Sequence, residues 1–200
     1  LDACRYDIFA DAVPFDGTLG SQISLGSTSE EFLNQNFSDA QFHDTVYVNA
    51  NVYFPRLGFD QDGTFHAVID LLDKWDSELE IAHPETVTDA AVDAHDRFPN
   101  KRVIVHYMQP HIPFIGEYGR ELQDRIDRRS VWVDLRNGDK PVSINEIWKA
   151  YRENLDFVLE YVEELLEAIS GKVVISADHG NMIGERHGPI PTPKLYGHPW

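Results

Sequence analysis

Two stretches constrain the fold more than any others in these 200 residues: Lys101-Arg102-Val103-Ile104-Val105-His106-Tyr107 and Lys172-Val173-Val174-Ile175-Ser176-Ala177. Each is short, β-branched and nearly continuously apolar, as a strand is when both of its faces are covered. Thr45-Val46-Tyr47-Val48-Asn49 reads as a third, shorter strand. Apolar residues recur at helical spacing over 28–37, 86–97 and about 143–169. The last of these carries Ile147, Tyr151, Leu155, Val158, Leu159, Val162 and Leu165, and Gly171 is expected to end it. Helix followed by buried strand, repeated, predicts an α/β fold with a mostly parallel central sheet flanked by helices. Such sheets hold ligands beyond the carboxyl ends of their strands, so the polar residues directly after each strand are where chemistry is sought.

The length suits one domain over 1–200, with no repeat or low-complexity linker to divide it. The chain starts at Leu1-Asp2-Ala3 and stops at Pro199-Trp200, and is expected to be a domain truncated at both ends. Acidic residues number 34 against 17 basic ones, a formal charge of -17. That field repels a polyphosphate, and no basic stripe offsets it, so nucleic acid is excluded as a partner. An acidic, Lys-poor surface suits a halophile, where salt screens the repulsion. No apolar run approaches the ~18 residues of a membrane span. A cytoplasmic location is expected for this segment, with a membrane-associated or exported parent left open.

Asp178-His179-Gly180 follows the 172–177 run. A carboxylate and an imidazole there can reach one cation if the backbone turns sharply, which Gly180 would permit; a polar turn is the plain alternative. His111 sits in Gln109-Pro110-His111-Ile112-Pro113 after the other strong strand, stiffened by its prolines, or is simply a surface histidine. Asp2 would close a strand at the amino terminus, or cap a helix. Ser24-Leu25-Gly26-Ser27-Thr28-Ser29 places hydroxyls before a helix whose amino end favours an anion. Thr28 with Glu31 equally reads as a capping box. Cys4 reads as a small packing residue. His43, His66, His83 and His95 have no ligand partner at a recognisable spacing, and Glu160, Glu163, Glu164 and Glu167 read as a solvated helix face.

In this order, "LDACRYD", "SLGSTSEEF", "HYMQPHIPF" and "SADHGNMIGERHG" resemble the alkaline phosphatase superfamily, in its sulfatase-like branch, and are most similar to sulfatase-like proteins of haloarchaea. The resemblance implies an alkaline phosphatase-like fold. It implies a divalent cation held by Asp2, Asp178 and His179, and a nucleophile at Ser29, with Thr28 as the alternative. Arg5, His111, His187 and His198 become candidates for substrate oxygens, leaving-group protonation or a second metal. One His with carboxylates favours Zn²⁺ or Mn²⁺ over Ca²⁺ or Mg²⁺. The formylglycine motif of classical sulfatases is absent. The expected activity is therefore metal-dependent hydrolysis or transfer of phosphate esters on a small, glycan-linked or lipid-linked substrate. Sulfate-ester hydrolysis, or a noncatalytic glycan-binding derivative, is the alternative.

Overall fold

The computed structural model describes residues 1–59, 63–127, 130–138, 142–186 and 193–198. It is an α/β structure with α1 (Tyr6–Ala12), α2 (Ser29–Phe37), β1 (Phe42–Asn49), α3 (Tyr53–Arg56), β2 (Phe65–Asp70), α4 (Pro84–Arg97), β3 (Arg102–Val105), α5 (Glu117–Gln123), α6 (Val131–Asn137), α7 (Ile144–Ala168), β4 (Met182–Arg186) and β5 (Lys194–Gly197). The strands β2, β1 and β3 form a parallel sheet in that order, and β4 pairs with β5 antiparallel. Of the predicted strands, the one at 45–49 extends back to Phe42, and the one at 101–107 contracts to four residues.

The central strand β1 accounts for the two-sided core. Val46 and Val48 face one way, into a cluster with Val87, Ala91, Leu155, Val158 and Val162 of α4 and α7. Tyr47 points the other way, among Leu33, Phe37, Phe54, Phe59 and Phe65. Period-two alternation therefore buries both faces of the strand from Thr45 to Asn49. Phe37 lies at the hub of the second cluster, edge-on to the rings of Phe42, Tyr47, Phe59 and Phe65.

The helices form where capping and apolar spacing agree. Ser143 accepts a hydrogen bond from the Glu146 amide while the Glu146 side chain accepts from the Ser143 amide, a reciprocal cap that starts α7. The helix ends at Ala168 through an extended Ile169; Gly171, with φ 112°, turns the chain only afterwards, so the expected glycine stop is displaced. Glu160, Glu163, Glu164 and Glu167 lie exposed, as their pattern predicts. No helix among the described residues is long and apolar enough to cross a membrane.

One predicted strand is corrected. Residues 172–177 join no ladder, and Val173 and Val174 are exposed. Leu1 and Asp2 lie between this segment and β3: the Leu1 ammonium donates to Ser176 O at 2.9 Å, and the Asp2 amide to Tyr107 O at 2.9 Å. A single bond to the segment does not make a ladder, which needs a run of them.

Candidate metal centre

All three parallel strands end on one side, and the chain segments that follow or abut those ends converge there. Asp2 bridges to Pro110, just beyond β3, and the next residue, Ala3, has φ 56°. That left-handed conformation costs an alanine about 1–2 kcal/mol. Two hydrogen bonds fix it: the Ala3 amide donates to Asp178 Oδ1 at 2.9 Å, and the buried Tyr151 hydroxyl of α7 donates to Ala3 O. Asp178 Oδ1 also accepts from the His179 amide at 2.8 Å, so its other oxygen is the one directed to the site. Gly180 has no left-handed φ, contrary to the expected turn. A Cβ there would lie 3.1 Å from Arg5 Cγ, a tight contact that the Arg5 side chain would have to yield to.

The hydroxyl segment separates into a cap and a site residue. Thr28 is the N-cap of α2, accepting from the Glu31 amide at 3.2 Å, while the Glu31 carboxylate turns back to Ser27 instead of completing a capping box. A Cβ on Gly26 would overlap the Phe32 backbone nitrogen, so only glycine lets the segment fold over the helix end. Ser29, the first residue of α2, is buried with its Oγ 2.8 Å from Asp178 Oδ2 and 3.0 Å from Asp2 Oδ2, its one proton available to either; His179 Nε2 is 3.5 Å away.

Asp2, Asp178 and His179 are each at most 5% exposed. One ligand atom from each falls within 4.8 Å of the others, a group that can hold a metal ion. His179 Nδ1 lies 3.3 Å from Gly180 O; a carbonyl only accepts, so Nδ1 carries the proton and Nε2 is left to face the carboxylates at 3.4 and 3.6 Å. Asp2 Oδ1 is buried and has no hydrogen-bond partner among the described residues. Two buried carboxylates beside an imidazole lone pair, with one oxygen unsatisfied, make a donor set that a divalent cation completes.

Sequence reasoning missed the residues that hold Asp2. Asn51 Nδ2 donates to Asp2 Oδ2 at 2.9 Å, and His106 Nε2 stands 3.5 Å from the same oxygen with its Nδ1 2.9 Å from the Tyr47 hydroxyl. Burial on its own raises the Asp2 carboxyl; the His106 contact and the fields of His111, His106 and His179 outweigh it and hold the group well below the usual carboxylate range. Burial likewise pushes Tyr47 far up, so its hydroxyl stays protonated. Asn51 was findable, since it follows the carboxyl end of β1, where the strand-end rule already directed attention.

The remaining candidates separate. His111 and His198 stack with ring planes 11° apart and Nε2 atoms 3.4 Å from each other, and His198 packs edge-on to His179 at 4.6 Å. Burial, then the fields of His179 and His111, lowers His198 to about 4. Arg5 is brought near Gly180 but its guanidinium is engaged by Asp7, Glu185 and the Asn181 carbonyl and lies over Trp148. His187 lies outside the described residues. Cys4 is buried, with its thiol pushed up to about 12 by desolvation. His83 caps α4, and its ring packs on Phe157 and Tyr161. A cavity of about 1170 Å³ opens beside the site, lined by Arg5, Ser24, Ser27, Leu25, His179 and Asn181 among others.

No protein-family model, curated protein or solved structure matches the chain.

Proposed function

We infer that this protein is a metal-dependent hydrolase or transferase of phosphate esters that uses Ser29 as its nucleophile. The observation that carries this reading is the Ser29 hydroxyl, buried at the amino end of α2 and in contact with Asp2 Oδ2, Asp178 Oδ2 and His179 Nε2. A hydroxyl serving only to cap a helix would sit where Thr28 does; Ser29 instead faces the groups that can hold a cation. The likeness of the four motifs to the sulfatase-like branch of the alkaline phosphatase superfamily supports the same reading, including its fold.

The donor set of two carboxylates and one imidazole suits Zn²⁺ or Mn²⁺ better than Ca²⁺ or Mg²⁺. When bound, such an ion lowers the hydroxyl pKa and neutralises phosphate oxygens. Ser29 Oγ forms the new bond to phosphorus while the ester's alcohol departs, and its own proton passes to solvent or to a neighbouring carboxylate. The amino end of α2 presents amides and the positive end of its dipole to the phosphoryl oxygens. His111, whose ring lies beside His198 and His179, supplies the proton that the departing alkoxide takes up. Water or an acceptor alcohol then attacks the seryl phosphate and frees Ser29. The neighbouring cavity takes the alcohol portion, and with Leu19, Leu25 and Tyr6 among its walls it suits an aryl probe.

The test is hydrolysis of matched aryl phosphate, aryl phosphodiester and aryl sulfate esters at high salt, with Mn²⁺ or Zn²⁺. The phosphate arm is expected to turn over only with metal and to lose at least about 10³-fold in kcat in Ser29→Ala. A folded, metal-loaded protein that cleaves none of the three, or an undiminished Ser29→Ala, would overturn the assignment. Cleavage of the sulfate alone would move it to sulfate esters.

A further inference from the structure

Asn154 occupies a core position in the middle of α7, fully buried beside Leu155 and one turn from Tyr151 and Val158. An asparagine is a poorer helix former than leucine, and its buried amide must find partners to offset desolvation. It finds all of them in one loop. Its Nδ2 shares two hydrogens among the carbonyls of His111 at 3.0 Å, Pro110 at 3.1 Å and Pro113 at 3.3 Å, and its Oδ1 accepts from the Ile115 amide at 2.9 Å. The adjacent Glu153 accepts from the amides of Tyr118 and Gly119, where the same stretch enters α5. The loop meets the site at His111, through both backbone and side chain: the His111 amide donates to Asp2 O at 3.2 Å, and the His111 ring faces His198.

We propose that Asn154 is a positioning residue: by binding the backbone on both sides of His111, it sets that ring against His198 and His179. A leucine would fill the same space and favour the helix, so packing does not explain the amide. Three carbonyls of a short segment aim inward at one NH₂ group, and without it they would be buried acceptors with no donor. The loop would then relax toward other donors and carry the His111 ring with it. On the phosphate-ester reading above, that displacement moves a group serving the departing alkoxide.

The test compares wild type with Asn154→Leu and with Asn154→Asp, which keeps the shape and the acceptor but not the donors. Imidazole ¹⁵N–¹H spectra report ring positions without any substrate, and His83, which packs on α7 through Phe157 and Tyr161, serves as the internal control. Shifted His111 and His198 signals with an unmoved His83 are expected, together with an aryl phosphate kcat lower by roughly 10–100-fold. Unmoved His111 signals in a folded variant overturn the proposal. So does a His83 that shifts alongside them, or loss of folding in both variants, since Asn154 would then serve the fold alone. If wild type cleaves no ester, the hydrolase reading falls while the spectra still decide the role of Asn154.

Discussion

At the scale of single residues, neighbouring hydroxyls have different work. Thr28→Ala removes the cap of α2 and is expected to lower stability by about 1 kcal/mol while the Ser29 geometry persists. Thermal denaturation beside an ester assay separates this from Ser29→Ala, whose loss should be in turnover with little change in melting. Cys4 offers a sharper contrast with the nucleophile. Its thiol, raised to about 12, is almost wholly protonated at pH 8 and buried. A thiol-exchange reagent should leave the folded protein unmodified and label one thiol per chain on unfolding; fast labelling of the native state would contradict the packing described. Asp2, Asp178 and His179 drew attention as polar residues after segments that read as strands, although 172–177 forms none, and Ser29 stood out from its hydroxyl cluster only through the resemblance of its motif. Asn51, just past the carboxyl end of β1, was within reach of the same rule, whereas His106, Tyr47 and Asn154 act through contacts between residues far apart in the chain, and no local spacing announces such partners.

Among the elements, α7 does most to position the site, since Tyr151 binds Ala3 and Asn154 binds the His111 loop from one helical face. Its start carries a pH signature. The Ser143 amide and side chain, with Arg125, hold Glu146 down at about 2 from an ordinary 4.5. A carboxyl lowered by folding stabilises above its unfolded value, so the contribution is complete above pH 4.5 and is lost as pH falls from there through about 2. Glu146→Gln should therefore melt below wild type at neutral pH, with the gap closing across that window; a gap constant with pH would show that the cap does not depend on this charge. The helices at 28–37, 86–97 and 143–169 were readable because amphipathic spacing and capping coincide. The strand pairing was less so. Residues 172–177 have the composition of a buried strand, yet pairing depends on what lies alongside, and the Leu1 ammonium bond to Ser176 O does not make a ladder among the described residues. The edge strand β2 escaped notice because Phe65, Ala67 and Ile69 alternate with His66, Val68 and Asp70 over six residues, too short a run to stand out.

For the whole molecule, a formal charge of -17 on 200 residues sets the conditions under which any measurement is meaningful. Self-repulsion among carboxylates destabilises the compact state, and salt relieves it as the screening length contracts. Raising KCl from about 0.1 M to about 2 M should raise Tm by roughly 5 °C or more, each kcal/mol gained being about 2–4 °C in a domain of this size. A flat or falling Tm would mean that the charges are spaced too widely to repel. The same field attracts cations diffusely, so a specific centre must be distinguished from a counter-ion cloud. Calorimetric titration of Mn²⁺ into wild type and Asp178→Ala at high KCl does this most directly. One ion per chain in wild type, with affinity lower by at least about 10²-fold in the variant, is what Asp2, Asp178 and His179 predict. No saturable binding in wild type, or equal binding in both, would contradict a metal centre beside Ser29.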